Sequence, residues 1–439
     1  MLEKYFKFRE NNTNIKTEIL AGIATFMTMA YIIFVNPSVL KAAGIPLEPT
    51  VVSTCLVAGL ITILMGLLTN YPFALAAGMG LNAFLVYGIV KSLNVSWQVA
   101  MGMVVIEGVL ILVLVLTNLR EAIMKAIPMD LKRAIGVGIG LFLVFLGLKD
   151  GGFVVSDPAT YLTLGNFKSP GVVVSTIGVL ITSFLVIKQV NGSILYGILI
   201  TTVLGLFFKN ANGTTITALP DRVFTDFQGN VFSTLFHADV LGALKWNYAA
   251  AIFSFFLSDF FDTMGTIILI GSIAQYISKS GDIPRLKRIL IVDSLGAVLG
   301  GVFCSSSATT YIESASGVAQ GGRTGFTSVV TGILFLLAIF FTPIVGMVPV
   351  QATSAALIVV GFLMMSILSE LHFKSLEDTF PAFLTFITIP LTFSISNGIG
   401  IGFITYTVIK MLLGKFKEVH PLMYFVSVVF VIDFILKGS

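Results

Sequence analysis

Residues 304–322 read CSSSATTYIESASGVAQGG, and residues 71–90 read YPFALAAGMGLNAFLVYGIV. Both fall where a series of apolar stretches calls for a membrane-crossing segment, yet neither opens as a good helix. The later string sets three serines and two threonines ahead of any helical pattern. The earlier one carries Pro72, Gly78 and Gly80 in its first half. Irregular backbone at membrane depth is tolerated only where it is buried in protein or lines a cavity. Each string therefore reads as a short extended stretch followed by a half-helix. Asn82 and Ser307 to Thr310 are then expected near half-helix N-termini, whose free N–H groups and dipole favour electronegative ligand atoms.

The rest of the chain supplies the membrane. Of its 439 residues, 56% are apolar and 11% charged, against about 25% charged in an ordinary globular protein. The mean hydropathy of +0.99 agrees. Such a composition excludes a disordered chain, a nucleic-acid binder and a string of soluble domains, and leaves an all-α polytopic membrane protein. Cys55 and Cys304 both sit in apolar runs, which makes neither a disulfide framework nor a metal set. The polar opening MLEKYFKFRENNTNIKTE predicts no cleavable signal peptide.

A spanning helix needs about 20 apolar residues. Candidates fall at 17–35, 50–69, 73–91, 97–117, 131–148, 170–188 and 192–208, then at 247–273, 286–303, 304–322, 324–345, 353–369, 380–396 and 397–414. A polar loop, 209–245, separates the two sets, and a last apolar stretch, 421–436, lies in the C-terminal segment 415–439. With residues 1–16 in the cytoplasm, 18 basic residues fall on the inside and 7 on the outside. That is the bias expected of a cytoplasmic start, and it makes 209–245 extracytoplasmic.

The halves 17–208 and 246–414 also resemble each other. IPMDLKRAIGVGIGLFLVFLGLK (127–149) runs parallel to VPVQATSAALIVVGFLMMSILSE (348–370), and VNGSILYGILITTVLGLF (190–207) to SNGIGIGFITYTVIKMLL (396–413). Seven is odd, so the second copy enters the membrane from the opposite side. Inverted repeats of this kind place a transporter's substrate near the midplane, at corresponding interrupted segments.

Carboxylates at that depth are costly unless paired or solvated, so each is a functional candidate. Asp259 and Asp262 lie three apart on the eighth segment, on one helix face. Two like charges that close favour a proton on at least one of the pair. Glu313 follows the Ser/Thr stretch of the tenth. Glu107 and Asp293 stand alone on apolar helices and read as structural hydrogen-bonding acids. His237, His372 and His420 all fall in loops, which removes a serine or metal protease from consideration, and Asp259 and Asp262 share one helix where an aspartyl protease needs two. No Gly-x-x-x-x-Gly-Lys motif is present, so ATP-driven transport is not encoded here. Phe260 and Phe261 could stack on a planar ligand. A buried carboxylate suits a planar heterocycle with an N–H edge, and can carry a proton with it. With no basic residue at these positions, the alternative of an anion transporter or channel on the same scaffold lacks a ligand-binding cation.

TNIKTEILAGIATFMTMAYIIFVNPSVL, AAGMGLNAF, SDFFDTMGT and TTYIESASGVAQGGRTGFTSV together resemble the azaguanine-type purine permeases of the nucleobase–ascorbate transporter superfamily, from about Asn14 to His420. The resemblance implies fourteen spans in two inverted seven-helix repeats. It divides them into a core (17–117 and 246–345) and a gate (131–208 and 353–414), and implies proton-coupled uptake of adenine, guanine or hypoxanthine at the cell membrane. Carried over, Asp259 and Glu313 would hold the base, and Asn82, Ser307, Thr310 and Gly80 would line its pocket. Asp262 would serve translocation, with the proton on Asp262, Asp259 or Glu313. No cofactor, metal or catalytic residue is implied, and the resemblance leaves room for a homodimer. The Glu-Asn-x-Gly-x-x-x-x-Thr pattern of the uracil and xanthine branch is replaced here by Glu313-Ser-Ala-Ser-Gly317, which turns the expectation away from uracil, xanthine and ascorbate.

Overall fold

The computed structural model describes residues 2–117, 127–210, 212–220, 222–227, 230–274, 276, 283–371 and 375–438. Arg120, Lys125, Lys279, His372 and Lys374 lie outside them, as does the side chain of Phe261.

The first segment is two helices, α1 (Ile15–Met29) and α2 (Ile32–Lys41), broken at Ala30 and Tyr31. It is followed by α3 (Leu47–Thr69). The third segment opens as strand β1 (Leu75–Ala77), turns into α4 (Met79–Ala83) and continues as a π-helix over Phe84–Lys91. Four helices complete the set: α5 (Trp97–Thr117), α6 (Met129–Asp150), α7 (Pro170–Ile187) and α8 (Ser193–Gly205). A hairpin of β2 (Val154–Asp157) and β3 (Tyr161–Leu164) joins α6 to α7. The second set holds α9 (Ala249–Ile273), α10 (Leu286–Val302), β4 (Ala308–Thr310) with α11 (Ser314–Ala319), and α12 (Gly325–Ala338). It ends with α13 (Val350–Met364), α14 (Leu376–Thr392) and α15 (Ile395–Leu412), after which α16 (Pro421–Gly438) lies along α15.

Two boundaries depart from the sequence expectation. The first segment runs six residues past 35, because Pro37 sits inside α2 without ending it. The break between the last two segments falls at Phe393 and Ser394 rather than at 396. Phe393 takes a left-handed conformation, and the Ser394 side chain caps α15 by accepting from the Asn397 amide.

The packing has the symmetry of an inverted repeat. The most extensive contacts are matched by those obtained on moving seven segments along. Thus α3 packs on α12 as α10 packs on α5, α1 on α12 as α9 on α5, and α7 on α13 as α14 on α6. Glycines let the backbones of these helices approach closely. A Cβ on Gly66 would stand 2.2 Å from the Gly325 carbonyl oxygen, and one on Gly108 would stand 2.7 Å from the Val298 amide nitrogen. Small residues let helix backbones touch where lipid tails offer no hydrophobic drive for association.

The two interrupted segments lie on the symmetry axis and satisfy each other. Strands β1 and β4 pair antiparallel in the register Leu75↔Thr310, Ala76↔Thr309 and Ala77↔Ala308. Gly78 N–H donating to Ser307 O and Tyr311 N–H donating to Ala74 O extend the ladder at either end. Backbone that left the helix would otherwise carry unmet donors and acceptors in hydrocarbon. Leu180, Phe184, Ile187 and Phe207 are exposed on the outer surface, as suits helices solvated by lipid.

Glu18 locks α1 to the start of α12. Its buried carboxylate accepts from the amides of Arg323, Thr324 and Thr327 and from the hydroxyls of Thr324 and Thr327, the last at 2.6 Å. Glu18→Ala strands these donors at a helix N-terminus. The expected cost is at least about 1–3 kcal/mol, read as a lower melting temperature of the detergent-solubilised protein. An unchanged melting temperature would contradict the assignment.

Candidate functional site

The paired strands hold the side chains of β4 between α9 and α10. Alternation along a strand sends successive residues to opposite faces, and that sorts the polar residues here. Ser307 Oγ donates to Asp259 Oδ2 at 2.5 Å, and Thr309, two residues on, lies toward Asp262. Thr310 turns the other way: its amide and hydroxyl both donate to Asp293 Oδ1, at 2.9 and 2.8 Å. Thr263 on α9 donates to Asp293 Oδ2 at 2.8 Å and only approaches Asp259, at 3.4 Å, because a hydroxyl has one proton. Asp293 therefore ties β4 to α9 and α10.

The aspartates of α9 share a helix face but not their partners. Asp259 is fully buried, while Asp262 is half-buried and lies close enough to both Asp259 and Glu313 to feel their charge. Glu313 Oε1 accepts from the Tyr31 hydroxyl at 2.7 Å, across the break between α1 and α2. No lysine or arginine among the described residues pairs with these three acids.

A relay from the turn before β4 fixes which way the Asn82 amide points. Asn36 Nδ2 donates to the Ser305 carbonyl at 3.1 Å and approaches Thr54 Oγ1 at 2.9 Å, so Asn36 presents its oxygen to Asn82. Asn82 Nδ2 donates to that oxygen at 2.9 Å, and its own Oδ1 is buried with no donor among the described residues. The buried hydroxyls of Ser305 and Ser306 are likewise unpartnered. Cys304 and Ser306 both adopt positive φ, 58° and 71°, in the turn that launches β4. Strained backbone of this kind clusters at functional sites.

Not every expected residue converges. Thr310 faces Asp293, as above. Gly80 faces α6: a Cβ there would stand 2.1 Å from Ile139 Cγ2. Phe260 is buried, 5.6 Å centroid to centroid from Phe256 on its own helix. Ser307 to Thr310 precede α11 as a strand, so their contacts come from side chains and the ladder rather than from a helix end. Tyr31 and Asn36 were not anticipated; the signal for them was an Asn-Pro pair and a tyrosine in the middle of an otherwise apolar span.

The geometry thus sets acceptors from α9, the tenth segment and the third segment around a two-strand break between the two repeats. The sequence matches the permease family over residues 16–401. The chain belongs to that family. Adenine permease AdeP of Escherichia coli (strain K12) is 40% identical over 435 residues, 99% of this chain and 96% of that protein. Guanine/hypoxanthine permease PbuG of Bacillus subtilis (strain 168) is 40% identical over 446 residues, 99% of each chain. The transmembrane domain of the cyanobacterial bicarbonate transporter BicA shares the fold, with a TM-score of 0.61 at 15% identity over 89% of this chain and 97% of that one. The resemblance read from the four strings is borne out, and the permease is a multi-pass membrane protein with the seven-plus-seven inverted-repeat fold.

Proposed function

We propose that this permease is a secondary active transporter that imports purine nucleobases by proton symport, hypoxanthine and guanine ahead of adenine. The observation that carries this reading is the uncompensated set of acceptors: Asp259, Asp262, Glu313 and the free oxygen of Asn82. A 6-oxopurine has N–H groups on both of its rings, so acceptors arriving from different elements can engage both edges of the one ligand. A phosphorylated or anionic solute would meet only repulsion there. The names carried by the relatives point the same way.

In this reading Asp259 and Glu313 hold the base, Asn82 and Ser307 line its pocket, and Asp262 serves translocation. The core, 17–117 with 246–345, moves against the gate, 131–208 with 353–414. In support, α6, α7 and α8 pack chiefly among themselves and with α13 and α14. The N-terminus lies in the cytoplasm of a cell whose plasma or inner membrane holds the protein. A homodimer belongs to the reading through family resemblance alone.

The test is uptake of radiolabelled hypoxanthine by cells that lack purine carriers of their own and express this chain. Unlabelled guanine and adenine are expected to compete, uracil and xanthine to compete poorly, and a protonophore to abolish accumulation. Accumulation that survives the protonophore would remove the symport, and absence of purine uptake would remove the substrate class.

A further inference from the structure

Glu107 lies on α5, fully buried, and neither of its carboxyl oxygens accepts a hydrogen bond from a described donor. A structural acid would be expected to hold neighbouring amides or hydroxyls, as Glu18 and Asp293 do. Glu107 instead meets another carboxyl: α5 packs on α9 and α10, its side chain lies beside Asp259, and Asp293 is close enough for its charge to be felt. Two ionised carboxylates are acceptors only and cannot hydrogen-bond each other. A proton between them turns the same contact into a charge-assisted bond.

Among the described residues, no lysine or arginine pairs with either acid. The elements packed on α5 are α9, α10, the π-helical end of the third segment and the short turn Val240–Ala243. From α9 and α10, Asp259 and Asp293 lie close enough for Glu107 to feel their charge. Tyr87 and Lys91 sit on the π-helix toward the Trp97 end of α5, where the Asp239 amide bonds the Gln98 carbonyl. Lys287 reaches the Leu116 carbonyl at the opposite end.

We propose that Glu107 and Asp259 share a single proton and that this proton is the one that travels with the base. The inference rests on the symport reading above and names its proton site. Asp259 accepts an N–H of the base most strongly as the anion, so with the base bound the shared proton resides on Glu107, whose O–H then donates to Asp259. Loading the base is favoured once that proton is in place, and losing the base lets it leave. One proton enters the pair from one side of the membrane and departs on the other, with no other bond made or broken.

Glu107→Gln imitates the protonated acid permanently. In proteoliposomes, the purified variant is expected to keep binding radiolabelled hypoxanthine but to lose accumulation driven by a pH gradient, and its binding no longer varies with pH. A Glu107→Gln protein that accumulates hypoxanthine with the wild-type pH dependence overturns the proposal. Should that variant fail to fold, Glu107→Asp replaces it: the acid remains, drawn back by one methylene from Asp259. A displaced pH profile supports the shared proton, and a profile identical to wild type overturns it. Wild-type protein that binds no purine, or accumulates it without a pH gradient, overturns the symport reading itself. That failure is visible before any variant is made.

Discussion

Asp259→Asn is expected to abolish concentrative hypoxanthine uptake while the protein still folds and reaches the membrane. The substitution preserves shape, and Ser307 can still donate to the remaining oxygen, so the fold loses little. The base loses far more. An amide places an NH2 where the ligand's own N–H expects an acceptor, and it removes the negative charge that strengthens the bond. A hydrogen bond to a charged group contributes about 1.5–3 kcal/mol, so binding weakens by roughly 10- to 150-fold. Thr310→Val is the informative contrast. Its hydroxyl faces Asp293, so its loss is expected to lower the melting temperature and leave the affinity for hypoxanthine near the wild-type value. Asp259→Asn with normal uptake, or Thr310→Val with intact stability and lost affinity, would show that the two faces of β4 have been assigned the wrong way round.

A single methyl group at Gly80 is expected to be nearly as damaging, for a mechanical reason. The Cβ of alanine would stand 2.1 Å from Ile139 Cγ2. Ile139 is buried and branched at Cβ, so its χ1 has little freedom to swing away. Overpacking of this kind costs about 1–3 kcal/mol. Here it falls where the third segment meets α6, the contact between the proposed core and gate. Gly80→Ala should cut the uptake rate by about tenfold or more. Ile139→Ala in the same chain should restore much of it, with a coupling of about 0.5–3 kcal/mol in a double-mutant cycle. Wild-type rates in Gly80→Ala, or no relief from the second substitution, would place the moving boundary elsewhere.

The span pattern was legible because hydropathy and length alone decide what can cross a bilayer. The two interrupted segments were legible because Pro72, the glycines and the Ser/Thr run break helical periodicity. What local sequence does not carry is partnership. Nothing in residues 75–77 announces that they pair with 308–310, since ladder register is a tertiary property. Once β4 and its register are known, alternation separates Ser307 and Thr309 from Thr310, a distinction that a place near a half-helix N-terminus does not make. Tyr31 and Asn36 were overlooked for a related reason. In a hydropathy reading they are minor blemishes on one apolar span, and their importance appears only when Glu313 and Asn82 arrive from far along the chain. Glu107 read as a structural acid because its donors had to be imagined; the fold supplies a second acid instead.

The β1–β4 ladder also sets a timetable. The Tyr311 hydroxyl reaches back to the Ala77 carbonyl across 234 residues of sequence. A ribosome adding about 5–20 residues per second needs roughly 10–50 s to bridge that interval. Throughout it, the amides of residues 75–77 have emerged and their ladder partners have not been made. Hydrocarbon cannot supply substitutes, so the third segment has no settled berth in the bilayer until the tenth arrives. The first half of this chain is born unfinished, and it is the insertion machinery, rather than lipid, that must shelter it through that wait.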